Sequence, residues 1–185
     1  MLRTKVGQRV TDRPLFMRRR LIEIIMEKIS YSSIGVIRTP FKSPAGMPIQ
    51  PSGARGVEGR VEVDPAYCEG LEDLNGFSHI YLVYHFHAAR GYALMVKPFL
   101  DEVLRGVFAT RAPRRPNPIG LSVVRLIRRE GCVLIIQDVD VLDGTPLLDI
   151  KPYVQEFNAP KATRTGWLRK KSGGAKKEKS DKRFI

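Results

Sequence analysis

Residues 119–141 have the sequence IGLSVVRLIRREGCVLIIQDVDV. Two runs rich in aliphatic and β-branched residues, 119–128 and 132–141, flank the short segment Arg129-Glu130-Gly131. Such runs are typical of strands, and a short glycine-containing connection between them is typical of a β-hairpin. The stretch therefore predicts two antiparallel strands joined by a tight turn.

The clearest single strand is predicted over residues 78–88, SHIYLVYHFHA. Successive side chains of a strand point to opposite faces. One face then carries His79, Tyr81, Val83, His85 and His87, and the other carries Ile80, Leu82, Tyr84 and Phe86. Further strands are predicted over residues 31–38, 60–63, 107–110 and 147–151, and a short helix begins after Asp64-Pro65 and runs to about residue 73.

At least six strands with turn signals between them and little helix favour a mainly β fold. Hairpins, rather than alternating strands and helices, predict a single-sheet antiparallel β-barrel with short helices and basic terminal extensions. One long loop interrupts this pattern, since residues 43–59 contain three prolines and four glycines. Long loops inside a compact domain are uncommon and often functional.

The chain carries a formal net charge of +13, which is distributed unevenly. Residues 1–30 contribute +5 and residues 161–185 contribute +8, whereas residues 31–160 are neutral. This excludes a uniformly basic, histone-like protein. We predict a basic N-terminal extension (1–30) with a possible helix over 15–28, a barrel domain (31–160), and a basic tail (161–185) that is disordered in isolation. Trp167 in this tail is suited either to stack on a base or to dock on the domain.

Two cysteines, Cys68 and Cys132, are too few for a disulfide scaffold or a four-thiolate zinc site. No stretch approaches the roughly 20 apolar residues of a membrane-spanning helix, and the N-terminus lacks the pattern of a secretory signal. The phosphate-binding motifs GxGxxG and GxxxxGK(S/T) are absent, as are HExxH and GxSxG. We therefore expect a cytoplasmic protein without membrane contact and without a Rossmann-type nucleotide site.

His85 and His87 lie two residues apart on one strand face and could together bind a metal ion. His79 is six residues earlier, about 20 Å along an extended strand, and cannot share that site. Two imidazoles without a third ligand nearby are a weak metal signal. The favoured interpretation is that they line a polar pocket or an interface, and we expect no metal.

Residues 106–122, GVFATRAPRRPNPIGLS, combine three prolines with Arg111, Arg114 and Arg115. The prolines restrict the backbone, and forked guanidinium groups match the geometry of phosphate and carboxylate groups. This segment is consistent with a preorganised anion-binding loop, although clusters of arginine are also common on ordinary surfaces.

An acidic segment follows the predicted hairpin, with Asp138, Asp140, Asp143 and Gly144 in the sequence DVDVLDGTP. Its carboxylates could accept hydrogen bonds from ribose hydroxyls or lie near a positively charged ligand. The pattern of an EF-hand is not met. For the Asp143-Gly144 pair, ordinary turn chemistry is the simpler explanation.

Four segments in this order resemble the TrmO (TsaA-like) family: SIGVIRTPF, GLEDLNGFSHIYLVYHFH, GVFATRAPRRPNPIGLSVV and LDGTPLLDIKPYV. The resemblance covers about residues 34–154. It implies a single-sheet barrel that binds S-adenosyl-L-methionine outside any Rossmann fold, and a homodimer in which both subunits contribute to the active site. The implied activity is methylation of N6 of threonylcarbamoyladenosine at position 37 of tRNA, in the anticodon loop.

The motif matches of this family also imply the residues of a cofactor pocket. These are Gln50, Pro51, Ser52, His87, Ala88, Arg111, Leu121, Asp138, Val139, Asp140, Val141, Leu142 and Asp143. His87 and Asp140 are hypothetical general bases for loss of the N6 proton. Contacts to RNA are assigned to Arg114, Arg115, Asn117 and Lys151, with the basic ends binding phosphates.

Two other functions are compatible with the residues alone. In one, the barrel is a non-catalytic RNA-binding module whose basic ends provide the affinity. In the other, it is a metal-dependent enzyme for a small molecule, built on His85 and His87.

Overall fold

The structure, a computed structural model, describes residues 27–158, 164–170, 172–181 and 184. Contacts divide the chain into residues 1–31 and 32–185, and the second unit contains the fold. The helix predicted over residues 15–28 lies outside the described residues, apart from its last two positions, which are not helical. None of the helices described here is long and apolar enough to cross a membrane.

Eight strands are present in the described residues. They are β1 (Gly35–Arg38), β2 (Glu58–Val63), β3 (His79–His85), β4 (Met95–Val96), β5 (Arg105–Gly106), β6 (Ile119–Glu130), β7 (Val133–Gln137) and β8 (Thr145–Pro152). Helices are short: α1 (Gln155–Asn158) and 3₁₀ segments at Pro51–Gly53, Pro65–Leu71, Leu74–Gly76, Val107–Ala109, Gly166–Lys170 and Ser172–Lys176.

Six of these strands close into an antiparallel barrel in the order β1-β2-β7-β6-β3-β8, and β4 and β5 form a separate two-stranded sheet. The predicted mainly β barrel is therefore confirmed. Closure pairs the backbone groups that an open sheet would leave at its edges. Buried side chains from all six strands fill the interior, including Ile37, Val61, Ile80, Leu82, Val124, Leu134, Ile136 and Leu147.

The alternation predicted for the strand that begins near Ser78 is present in β3. Ile80, Leu82 and Tyr84 are buried, whereas His79, Tyr81 and Val83 are only partly buried. The predicted hairpin is β6 and β7, whose paired ends are Glu130 and Val133. A strand of this pattern places one face in the core and leaves the other to loops and solvent.

Two local predictions need correction. Residues 107–110 do not form a strand, because Val107–Ala109 is a 3₁₀ turn that Thr110 closes by donating its backbone N–H to the Val107 carbonyl. The strand predicted to reach residue 141 ends at Gln137, since Asp138 takes a φ of 67°, outside the strand region. The short helix predicted after Asp64-Pro65 is confirmed as the 3₁₀ helix Pro65–Leu71, and the Asp64 side chain caps it by accepting a hydrogen bond from the Ala66 N–H.

The two cysteines pair with each other, which their number alone does not predict. The disulfide Cys68–Cys132 joins the 3₁₀ helix Pro65–Leu71 to the turn between β6 and β7 across 64 residues of sequence. It fixes the end of the barrel that lies opposite the loops described next.

Candidate functional site

The candidate site lies at the end of the barrel where β3 ends and where β6 and β8 begin. His85 pairs with Ile119, and Tyr84 pairs with both Gly120 and Leu147, so three strand ends meet here. The 3₁₀ segment Pro51–Gly53 lies in the long loop that connects β1 and β2 at the same end. The antiparallel order thus brings together segments that are far apart in the sequence.

A chain of hydrogen bonds leads from the barrel interior to this end. The hydroxyls of Tyr84 and Ser122 lie 3.1 Å apart, and Ser122 Oγ donates to Asp140 Oδ1 at 2.7 Å. Burial raises the pKa of Asp140 to about 6, while the hydrogen bond from Ser122 and the charge of Arg111 oppose the rise. Burial, followed by the charge of Asp140, also raises the pKa of Tyr84. Asp140 is thus a carboxyl group that changes charge near neutral pH.

Gly120 makes room for the tyrosine in this chain. A Cβ on Gly120 would lie 2.1 Å from Tyr84 Cε2, far inside van der Waals contact. Because Tyr84 and Gly120 are directly paired on β3 and β6, the ring crosses the glycine backbone on its way to Ser122. The glycine of the segment IGLS is therefore required by packing at the site.

Arg111 and Gln50 come from two different loops and meet at the rim. Arg111 Nη1 donates to Gln50 Oε1 at 3.1 Å across 61 residues of sequence. The guanidinium remains exposed, and its charge reaches both Asp140 and Tyr84. The site therefore presents one guanidinium at its rim and one partly buried carboxyl group within it.

His87 follows β3 and is oriented by a threonine. Its Nδ1 lies 3.2 Å from Thr145 Oγ1, and that hydroxyl donates its proton to the Leu142 carbonyl at 2.7 Å. Because the hydroxyl has a single proton, His87 Nδ1–H must donate to Oγ1, which leaves Nε2 as the acceptor nitrogen in the neutral ring. Partial burial and then the charge of His85 lower the pKa of His87, and Asp143 opposes this.

Of the three aspartates in the predicted acidic segment, only Asp140 belongs to the hydrogen-bonded chain with Ser122. Asp138 Oδ1 accepts from the Gly56 N–H at 2.7 Å and fixes the long loop. Asp143 pairs with Lys42 at 2.7 Å and accepts a hydrogen bond from the Thr39 N–H at 3.0 Å. Lys42 first, and then the Thr39 N–H, lower the pKa of Asp143. Between them, Val139 and Val141 are buried core side chains, and Leu142 contributes its carbonyl to Thr145.

Two other residues predicted for the site, Leu121 and Lys151, lie away from its hydrogen-bonded groups. Leu121 points outward from the barrel, with half of its surface exposed, because its neighbours Gly120 and Ser122 face inward. Lys151 pairs with Asp149 at 2.7 Å, six residues along β8 from Thr145, or about 20 Å from it. The structure does not bring Lys151 to the site.

The arginine-rich loop uses one of its guanidinium groups internally. Arg115 Nη1 donates to the carbonyls of Val107, Thr110 and Ala112, at 3.3, 2.9 and 3.3 Å. Arg114 Nε is buried without a hydrogen-bond partner among the described atoms, and Asn117 is exposed. Within the described part of the chain, no group of three or more His, Cys, Asp or Glu side chains could hold a metal ion.

Sequence reasoning missed Tyr84, Ser122 and Thr145. Tyr84 and Ser122 are polar residues on the inward faces of β3 and β6, between apolar neighbours. A buried hydroxyl needs a hydrogen-bond partner, so this pattern is a usable signal once the inward face is known. Thr145 has no comparable signal, since it stands at the start of its strand after an ordinary turn.

The fold and site define a class of protein: a closed six-stranded barrel whose loops at one end gather a guanidinium, an imidazole and a carboxyl group of raised pKa. The model of the tRNA-methyltransferase O N-terminal domain matches residues 36–159. The chain belongs to this family, and the expected family resemblance is confirmed.

Similar proteins and structures support the same assignment. The chain is 56% identical over 157 residues to a probable S-adenosyl-L-methionine-binding protein of Pyrococcus abyssi, with 85% of each covered. It is 34% identical to the tRNA (adenine(37)-N6)-methyltransferase of Escherichia coli, with 70% of this chain and 59% of that protein covered. The crystal structure of TrmO from Pseudomonas aeruginosa superposes with a TM-score of 0.65 at 41% identity, over 76% of this chain and 63% of that one. The chain thus spans about three fifths of these two methyltransferases.

Proposed function

We propose that this protein is an S-adenosyl-L-methionine-dependent methyltransferase that acts on N6 of adenosine 37 of tRNA. We propose further that the nucleoside it methylates at this position is threonylcarbamoyladenosine. The observation that carries the proposal is the charge arrangement at the site, where Arg111 stands at the rim and Asp140 within. The similarity to the tRNA (adenine(37)-N6)-methyltransferase of Escherichia coli supports methylation at this position.

The residues present fit the cofactor. S-adenosyl-L-methionine carries a carboxylate together with an ammonium and a sulfonium group, and it supplies an activated methyl group when bound. Arg111 would bind the carboxylate, because guanidinium groups pair well with carboxylates. Asp140 would pair with a positive group, and the Gln50-Pro51-Ser52 segment with His87 and Ala88 would complete the pocket.

Two groups of the site can receive the proton that N6 loses. His87 presents Nε2, and because its pKa is lowered, the ring is neutral at pH 7. Asp140, with a pKa of about 6, is mostly ionised at the same pH. An effective general base titrates near the working pH, and Asp140 meets that condition.

The RNA would approach this end of the barrel. Arg114 and Asn117 lie on the same loop as Arg111 and are available for contacts to the anticodon loop. Arg115 would contribute by holding the loop rather than by direct contact, since its Nη1 already donates to three carbonyls. Position 37 is unpaired, so turning its base into a pocket costs less than from a duplex.

A homodimer is part of the proposal. Large apolar side chains are exposed around β4 and β5, on the segment that also carries Arg111: Tyr92, Leu94, Met95, Leu104 and Phe108. Apolar groups concentrated in this way are typical of an interface, and a second copy there would lie next to the site.

We expect a dimer by analytical ultracentrifugation. Phe108→Asp should shift the equilibrium towards monomer, whereas Tyr67→Asp, at an exposed site elsewhere, should not. A monomeric parent chain would contradict this part.

Cofactor binding can be tested without RNA. Arg111→Ala should weaken the affinity for S-adenosyl-L-methionine by about tenfold or more, measured by calorimetry, because a charge-assisted hydrogen bond contributes roughly 1.5–3 kcal/mol. Lys151→Ala is the matched control, since this cation lies about 20 Å along β8 from Thr145. Equal affinities for the two variants would contradict the assignment of the pocket.

A further inference from the structure

The C-terminal tail is anchored by backbone hydrogen bonds to the long loop that carries Gln50. The Gly46 N–H donates to the Ser180 carbonyl at 2.7 Å, and the Ser180 N–H donates to the Met47 carbonyl at 2.8 Å. Next to these hydrogen bonds, Pro48 and Lys179 are paired as in an antiparallel sheet. The tail thus adds a short strand-like edge to this loop.

A second contact lies immediately after Gln50. A Cβ on Gly53 would stand 3.1 Å from the Lys176 carbonyl oxygen, so the tail backbone passes directly against the 3₁₀ segment Pro51–Gly53. The glycine permits this approach. The loop is therefore held on both sides of Gln50 by one tail segment.

The same tail also contacts the segment that carries Arg111. Trp167 Nε1 donates to the Ala109 carbonyl at 2.8 Å, and the guanidinium of Arg105 lies 5.7 Å from the centre of the Trp167 ring. Of the two roles considered for this tryptophan, the structure shows docking on the domain. Phe184 packs against the buried cluster formed by Val96, Val107 and Ala112. Ala109 and Ala112 lie on either side of Arg111.

We infer that the tail is a positioning element of the cofactor pocket, holding the two loops where Gln50 and Arg111 meet. This inference rests on the proposed function. Gln50 and Arg111 are 61 residues apart in sequence, and the hydrogen bond between their side chains is exposed. Without an anchor, both side chains would have to be ordered when the cofactor binds, and that ordering reduces affinity.

This role differs from that of an electrostatic arm. The anchoring groups described here are the backbone and hydroxyl of Ser180, the indole of Trp167 and the ring of Phe184, none of which is charged. Exposed lysines such as Lys177 take no part in these contacts through their side chains among the described residues. The effect on the cofactor should therefore appear in the absence of RNA and persist at high salt.

Ser180→Pro is the direct test, because proline removes the N–H that donates to Met47. Ser180→Ala keeps that donor but removes the hydroxyl that donates to the Pro44 carbonyl of the same loop, so Lys177→Gln is the control. Ser180→Pro should weaken S-adenosyl-L-methionine binding by about tenfold, measured by calorimetry without RNA, whereas Lys177→Gln should bind like the parent chain and Ser180→Ala should fall between the two.

A pair of substitutions at Phe184 provides an independent check. Phe184→Ala should weaken cofactor binding, and Phe184→Leu, which fills the same apolar cluster, should restore most of it. In turnover assays these losses should raise KM for the cofactor more than they change kcat, with KM for tRNA nearly constant. A purely stabilising role would lower the active fraction, and hence the apparent kcat, without changing KM.

The outcomes separate this inference from the proposed function. If the parent chain binds the cofactor and Ser180→Pro binds it equally well, the tail does not position the pocket and the inference is wrong, while the proposed function stands. If the parent chain does not bind S-adenosyl-L-methionine at all, the proposed function fails and the inference fails with it.

Discussion

Asp140→Asn should make the protein more stable at neutral pH, although it removes a candidate catalytic group. The pKa of Asp140 in the fold is about 6, against an ordinary value of 3.8. This gap corresponds to about 3 kcal/mol, at 1.36 kcal/mol for each pH unit, which the folded state gives up when the carboxyl group ionises. Since Asp140 is only partly buried, water screens the charge and this figure is an upper limit.

The pH dependence fixes the sign. A carboxyl group whose pKa is raised on folding does not destabilise the protein below its unfolded pKa, where it is protonated in both states. The free energy of unfolding then falls as the pH rises from the unfolded pKa through the folded pKa. Asparagine stays neutral and still accepts the hydrogen bond from Ser122. The variant should therefore match the parent chain near pH 4 and exceed it progressively between about pH 4 and pH 7.

The assay is denaturant unfolding at pH 4.0, 5.5 and 7.5, with the free energy obtained by linear extrapolation. Asp143→Asn is the matched control and should give the opposite sign, because Lys42 and the Thr39 N–H lower the pKa of Asp143. Its loss of stability should be present at pH 7.5 and diminish on acidification. An Asp140→Asn variant that is less stable than the parent at pH 7.5, or a gain that does not change with pH, would show that burial of the ionised carboxylate does not destabilise the fold.

Three further perturbations follow from the structure. Gly120→Ala would place a Cβ 2.1 Å from the Tyr84 ring, and we expect a loss of about 1–3 kcal/mol in unfolding free energy together with weaker cofactor binding; unchanged stability would show that the ring is free to move. Cys68→Ser opens a link that spans 64 residues, which should lower the unfolding free energy by about 4 kcal/mol in non-reducing denaturant titrations and leave one titratable thiol; a parent chain with two free thiols would contradict the pairing. His87→Gln should remove the acid limb of the methylation rate, which in the parent should begin below pH 6.5 because the pKa of His87 is lowered; an unaltered pH profile would exclude His87 as the base.

The strands could be predicted because their signals are local. Alternation over residues 78–88 identifies β3 and its inward face, and Gly131 at the turn marks the β6–β7 hairpin. The error at residues 107–110 arose because Val107 and Phe108 favour strands by composition, while the closing hydrogen bond from the Thr110 N–H to Val107 cannot be seen in the sequence.

The site was harder to predict because strand pairing and loop contacts assemble it. Arg111 and Gln50 meet across 61 residues, and Asp140 meets Ser122 across 18. No local pattern reports such contacts. Alternation along β6 does show, however, that Leu121 faces away from Ser122, so its outward position could have been foreseen.

The contacts of the C-terminal tail could not be predicted from its composition. Its composition predicts a disordered, phosphate-binding arm, yet the described residues contact both loops of the site. Much of this anchoring uses backbone groups, such as those of Ser180, which any residue except proline supplies. Composition therefore reports its charge but not its docking.

Methyl transfer from S-adenosyl-L-methionine to N6 of adenosine 37 can be measured directly. The most direct measurement is to incubate the purified protein with the methyl-labelled cofactor and total tRNA, digest the RNA, and identify labelled nucleosides by mass spectrometry. We expect label on N6 of threonylcarbamoyladenosine, and no label when Arg111→Ala and Asp140→Asn are combined. Label on a different nucleoside would contradict the substrate, and neither label nor cofactor binding in the parent chain would contradict the function as a whole.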